Sequence, residues 1–155
     1  MIISMKKTNE LFNTWNDEKQ KIDFSKKINR KRVNVGEIWL CKIGVNIGSE
    51  ISKDDKFQRP VLVISNFLGG DLVAIIPMST KYNEQYKKFY FEVPEFEKYW
   101  LNQKTYLLLN HFKTISTKRL VKRINNISIS SWHVPLVSQG DMVQIKELIW
   151  NTYKL

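Results

Sequence analysis

VGEIWLCKIGVNIGSE at residues 35–50 and QRPVLVIS at 58–65 decide how this chain folds. From residue 35 onward the apolar spacing is that of strands, and residues 37–43 hold Ile38, Trp39, Leu40 and Cys41. Residues 61–65 are a β-branched run placed directly after Pro60, where a proline opens a strand without breaking its ladder. The intervening residues 51–58 carry Lys53, Asp54, Asp55 and Lys56, charges of both signs, and read as a loop that is mobile without ligand.

Strand patterns continue on the C-terminal side. Gly69 and Gly70 supply the permissive backbone of a tight connection, so that 61–65 and 72–76 read as a hairpin. Phe89, Phe91 and Val93 alternate with Tyr90 and Glu92, and residues 106–112 read as one longer apolar strand leading into 114–118. Several short strands at close spacing predict an all-β barrel or sandwich. The period then changes: Ser138 stands three residues before Asp141 as a cap, and Met142, Ile145, Ile149 and Tyr153 follow on one helical face. Upstream, Leu11, Trp15, Glu18 and Ile22 predict an amphipathic accessory helix over 8–22. Lys26, Lys27, Arg30, Lys31 and Arg32 then mark 25–32 as a solvated linker or a basic arm. No internal repeat or low-complexity segment interrupts the chain.

Composition bounds the function. With 155 residues, 43% of them hydrophobic, the chain builds one good core. A formal net charge of +10 attracts polyanions, nucleic acid first. Cys41 is the lone cysteine and there are two histidines. The expectation is therefore no disulfide framework, no metal and no cofactor, with Cys41 a small buried hydrophobe in a reducing compartment. Lys6 and Lys7 interrupt the short apolar start, so no secretory signal is read. The apolar runs at 61–64 and 72–78 are strand-sized, so no membrane association is expected, and the predicted location is cytoplasmic.

The opening segments, with IIPMST at 75–80 and LLLNHFKTISTKRL at 107–120, resemble the MazF/PemK toxin family. Its pattern is a first strand ending in a small-residue turn with Gly-Ser-Glu, a loop, then Arg-Pro at the head of a hydrophobic strand. A strand ending in a hydroxyl pair follows, and then a strand and turn closing on Thr-Ile-x-x-x-Arg-Leu. Three such segments in order are far more specific than any one. They cover about 35–155 and leave the first helix and linker outside.

The resemblance implies a mainly β fold, an SH3-like small β-barrel of the CcdB/PemK type with a C-terminal helix, here with an added N-terminal helix. Residues 1–33 are then helix and basic linker, and 34–155 the toxin domain. It implies the toxin of a type II toxin-antitoxin system, a homodimer that cuts single-stranded mRNA sequence-specifically without metal. Attack by the 2′-hydroxyl leaves a 2′,3′-cyclic phosphate and a 5′-hydroxyl. A cognate antitoxin protein occupies the same groove.

Metal-free cleavage needs a base for the 2′-hydroxyl, charge stabilisation on the phosphorane and a proton for the leaving oxygen. The resemblance gives Arg59 the catalytic arginine's place. A guanidinium is always charged and grips two phosphate oxygens at once. Arg59 also reads as a partner of Glu50 or a loop aspartate that merely fixes the loop. Ser79 stands where the family has a catalytic threonine, with Thr80 next, and either hydroxyl can bond a phosphate or ribose oxygen. Ser49 and Glu50 sit at the mouth of the first loop, which contacts RNA or antitoxin in relatives. Lys53 and Lys56 are further RNA contacts of that loop.

Where the family tends to place an acid or amide, then Gln, then Arg two residues on, this chain has Asn110, His111 and Lys113. Asn110 cannot act as a base and is left to RNA binding. His111, with an ordinary pKa of about 6.5, can exchange protons at neutral pH. Lys113 keeps the charge without the fork and suits a phosphate. Tyr82, Tyr86, Phe89 and Tyr90 follow the hydroxyl pair as base-stacking, core or interface residues, Tyr82 being the RNA contact. Trp132 and His133 read as connector packing. Two other readings stay open: a CcdB-type toxin that binds DNA gyrase through its C-terminal helix and cuts nothing, and an RNA-binding barrel whose catalytic set has decayed.

Overall fold

The computed structural model describes residues 6–25, 32–99, 101–124 and 137–154. The basic residues Lys26, Lys27, Arg30 and Lys31, the apolar start at 1–5, and Trp132 and His133 lie outside them.

β1 (Ile38–Lys42) and β2 (Gln58–Phe67) are antiparallel, with Trp39 opposite Val61 and Cys41 opposite Arg59. β2 passes through a turn at Leu68–Gly70 into β3 (Leu72–Ser79), the expected hairpin, in which Val61 faces Pro77. Gly69 and Gly70 take positive φ of 64° and 94° there, backbone that a side chain would oppose. β4 (Tyr90–Glu92), β5 (Tyr106–Leu108), β6 (Lys113–Ser116) and β7 (Leu120–Arg123) complete the sheet. Its order is β4-β5-β3-β2-β1-β7, with β6 also on β3. The result is a mainly β barrel.

Alternation along the strands separates two cores. Trp39, Cys41, Val61, Val63, Val73, Ile75, Ile115 and Leu120 fill the barrel interior, where Cys41 is fully buried as expected. Ile38, Leu62, Ile76, Met78 and Leu107 face the other way, against Met142, Ile145 and Ile149 of α2 (Gln139–Tyr153). The Ser138 hydroxyl accepts the Asp141 N–H at 3.1 Å, so the predicted cap is present. No helix among the described residues is long and apolar enough to cross a membrane.

The single strand expected over 106–112 is corrected to two. β5 pairs with the outer end of β3, Leu107 facing Met78, whereas β6 pairs with its inner half, Lys113 facing Ile75. Continuing the β5 register would set residue 110 opposite Ile75. The three-residue slip is taken up by a 3₁₀ turn at Leu109–His111, which lifts Asn110 and His111 out of the ladder.

α1 (Asn9–Phe24) starts one residue later and ends two residues beyond the expected helix, because Thr8 is the cap, accepting the Leu11 N–H at 3.2 Å. It contributes Trp15, 3% exposed, to a third cluster with Val45 and Phe57, flanked by Leu11 and Ile22.

Candidate functional site

Arg59 and Ser79 are brought together by register. Cys41 faces Arg59 and Val61 faces Pro77, so one step further along the same alternation sets Arg59 and Ser79 side by side across β2 and β3. Both project to the barrel-interior side, at its mouth. The guanidinium donates from Nη1 to the Met78 carbonyl at 3.2 Å and from Nη2 to the Ser52 carbonyl at 2.9 Å. Its Nε is buried without a hydrogen-bond partner. Burial lowers the Arg59 pKa and Asp54 counters it, but a guanidinium stays charged throughout. The loop-fixing reading is thus met by backbone carbonyls instead of Glu50, and N–H donors remain for a ligand.

Ser79 is half-buried, and its Oγ accepts the Lys81 N–H at 3.1 Å, which leaves the hydroxyl proton to donate elsewhere. Thr80 is exposed just past the end of β3. Across from Ser79 stands Tyr106, whose ring lies 4.9 Å from that of Tyr82 and 6.0 Å from that of Tyr90. Tyr82 also meets Tyr90 at 5.2 Å and donates its hydroxyl to Glu84 at 2.8 Å. Tyr82 and Tyr86 are 43% and 46% exposed, whereas Phe89 and Tyr90 are half-buried.

His111 and Lys113 are half-buried, just before and at the start of β6, with His111 within electrostatic reach of Arg59. The His111 pKa is lowered by burial first, then by the Lys113 and Arg59 cations, with the Glu50 carboxylate opposing. That direction favours the neutral, proton-accepting imidazole. Burial and Arg119 likewise lower the Lys113 ammonium, against Cys41 and Glu50. Asn110 is exposed on the 3₁₀ turn. The register slip that breaks the strand also places Lys113 where Asn110 would otherwise stand.

The loop carrying Ser49, Glu50, Lys53 and Lys56 is tied down and does not lie open. The Ile43 and Gly44 N–H groups donate to the Phe57 carbonyl at 2.9 and 3.2 Å, and the Lys53 N–H donates to the Gly44 carbonyl at 2.8 Å. Asn46 donates from its backbone N–H to Ser52 Oγ at 2.9 Å and from Nδ2 to the Ile51 carbonyl at 2.7 Å. Lys56 is exposed at φ 49°, and its carbonyl accepts from Lys42 Nζ at 3.0 Å. Ser49 and Glu50 are exposed.

A cavity of about 600 Å³ is lined by Arg59, Ser79, Thr80 and Lys53. Leu40, Pro60, Met78 and Leu101 give it an apolar floor, while Asn102, Gln103, Lys122 and Arg123 add amides and cations. Those last four and Tyr106 escape a reading of the sequence, since only strand pairing sets Tyr106 across from Ser79 and only the closed fold brings the other four to the same cavity. Among the described residues no three of His, Cys, Asp and Glu come together as metal ligands.

Glu37 anchors the neighbouring strand. It is 1% exposed, and burial raises its pKa, but donors outweigh that effect and hold the carboxyl below its ordinary range. Those donors are the Asn34 backbone at 3.0 Å, Asn34 Nδ2 at 2.9 Å, Trp39 Nε1 at 2.8 Å and Arg123 Nη1 at 3.2 Å.

Residues 34–134 match the family model described as PemK-like, MazF-like toxin of type II toxin-antitoxin system. No curated protein matches the sequence. Among solved structures, the chain is similar to the Mycobacterium tuberculosis toxin MazF-mt6 at 18% identity and a TM-score of 0.50, covering 77% of this chain and 97% of that one. It is similar to MazF from Deinococcus radiodurans at 13% identity and a TM-score of 0.55, covering 81% and 99% respectively. A third similar structure is an endoribonuclease in complex with its cognate antitoxin from mycobacterial species, at 12% identity, a TM-score of 0.52 and coverage of 80% and 97%. At such identities the structural likeness speaks for the fold alone.

Proposed function

Because this chain belongs to the PemK-like, MazF-like toxins of type II toxin-antitoxin systems, we propose that it is a metal-independent endoribonuclease cutting single-stranded mRNA at a defined sequence. The observation that carries this reading is the placement of Arg59 beside Ser79 on the lining of one cavity. The Arg59 Nη N–H groups not used on the Met78 and Ser52 carbonyls bond one phosphate oxygen, and the Ser79 hydroxyl bonds a second oxygen of the same phosphate.

The chemistry balances within the RNA. Neutral His111 takes the proton of the 2′-hydroxyl, the 2′-oxygen forms a bond to phosphorus, and the bond to the 5′-oxygen breaks. The products are a 2′,3′-cyclic phosphate and a 5′-hydroxyl. Arg59 stabilises the charge gathering on the phosphorane, and Lys113, a better acid for its lowered pKa, protonates the leaving oxygen. Tyr82 stacks an adjacent base, while Ser49, Glu50, Lys53, Lys56 and Asn110 contact the RNA around the mouth. Thr80 takes a supporting place on the cavity side. The toxin works in the cytoplasm as a homodimer, and its cognate antitoxin covers the same face.

Incubation of the pure protein with a long single-stranded transcript in EDTA tests this. The expected result is discrete fragments whose new ends carry a cyclic phosphate and a 5′-hydroxyl. RNA retention without fragments would favour the decayed binding module. A second reading, a CcdB-type toxin that acts on gyrase by contact, draws on Val143 and Trp150 of α2, which are 63% and 60% exposed. It expects neither cleavage nor retention.

A further inference from the structure

α1 lies outside the family-matched residues 34–134, yet it is fastened to the loop that serves Arg59. Contacts from α1, and from Lys7 just ahead of it, hold the helix in place. Trp15 packs on Gly44 so closely that no side chain fits there, and its ring lies 5.1 Å from that of Phe57 at the loop's far end. Lys7 Nζ donates to the Asn46 and Gly48 carbonyls at 2.6 and 2.7 Å. Glu18 pairs with Lys42 at 2.9 Å, and Lys118 Nζ donates to the Asp23 carbonyl at 2.6 Å.

The loop needs such a cover. Its ends bring Val45 and Phe57 to the surface of the barrel, and both are buried only in the cluster that Trp15 completes. It also holds two consecutive non-glycine residues at positive φ, Lys56 at 49° and Phe57 at 56°. Left-handed backbone at such residues costs free energy and persists only where packing over-determines it. What the loop delivers is the Ser52 carbonyl bonded to Arg59 Nη2, and Glu50, whose carboxylate acts on both His111 and Lys113.

We infer that α1 is a clamp built into the chain, and that Trp15 is a positioning residue which, through Gly44 and Phe57, holds the β1–β2 loop in the shape that orients Arg59. This inference rests on the endoribonuclease reading for its effect on turnover, but not for its effect on the loop.

The test measures amide hydrogen exchange and RNA cleavage in the full chain for Trp15→Ala, Trp15→Phe and Lys7→Ala. For Trp15→Ala, exchange at the Gly44, Glu50 and Lys53 amides is expected to accelerate at least about tenfold while β2–β3 protection holds. kcat is expected to fall about tenfold or more at nearly constant KM, since misplacing a catalytic group by an ångström is costly. Trp15→Phe restores most of both. Lys7→Ala removes only two backbone contacts and no core packing, so it is the deciding variant if Trp15→Ala fails to fold. It is expected to speed exchange at Glu50 and lower kcat a few-fold. Unchanged loop exchange, or faster exchange with unchanged kcat, overturns the inference. If the wild-type chain cleaves no RNA, the endoribonuclease reading fails and the clamp is decided by exchange alone.

Discussion

The indole of Trp15 fills the space that a side chain on Gly44 would need, and Gly44 itself sits at φ +81°. Both conditions favour glycine, one by backbone conformation and one by room. They join a helix outside the family-matched segment to the first loop of the barrel.

Gly44→Ala should therefore destabilise the protein. Left-handed strain and overpacking against the indole together amount to about 2–5 kcal/mol. Urea unfolding followed by tryptophan fluorescence measures it. A loss below about 1 kcal/mol would mean that Trp15 moves aside freely.

Arg59→Lys keeps the charge but not the fork. An ammonium cannot hold the Met78 and Ser52 carbonyls and also offer a directed N–H to phosphate. Cleavage should slow by about 100-fold, the scale of losing one oriented donor at a developing charge. Circular dichroism should be unaltered. A rate within a few-fold of wild type would remove the guanidinium from the mechanism.

His111 sets an acid limb. Its pKa is lowered from 6.5 by burial and by Lys113 and Arg59, so the base form predominates at neutral pH and is lost only as pH falls through that lowered value. The kcat/KM profile should thus decline with a midpoint below 6.5, and His111→Ala should be slow without that limb. An identical profile in the variant would return His111 to a structural role.

Glu37→Leu leaves the N–H groups of Asn34, Trp39 and Arg123 facing an apolar side chain. Breaking such a buried, multiply bonded carboxylate costs about 3–5 kcal/mol. The folded pKa is below the ordinary 4.5, so the stabilisation is complete above 4.5 and lost as pH falls through the folded value. Thermal melts of wild type and variant across that acid range should converge. Parallel curves would show that the carboxylate does not titrate with folding.

Much of this architecture was legible locally. The Gly69-Gly70 hairpin and the Ser138 cap each depend on neighbours within a few residues, and the structure contains both, whereas Pro60, expected to open β2, stands third in a strand that pairing with β1 extends back to Gln58. The strand expected over 106–112 failed for a non-local reason. β3 accepts two partners at different registers, and nothing within those residues records the slip. Tyr82 and Tyr86 proved substantially exposed, while Tyr106, unremarked in its strand, joined the ring cluster opposite Ser79.

By itself, the amino-acid order determined the kinds of element, the apolar faces, the positive field and the presence of an Arg-Pro and a Ser-Thr pair, because propensity, periodicity and charge act over short separations. Only the tertiary structure decided which guanidinium donors stay unpartnered, that burial and nearby cations lower the His111 pKa, and that the first helix packs on the loop. Those outcomes depend on burial and on contacts between residues far apart in the chain, and these exist only after the barrel closes.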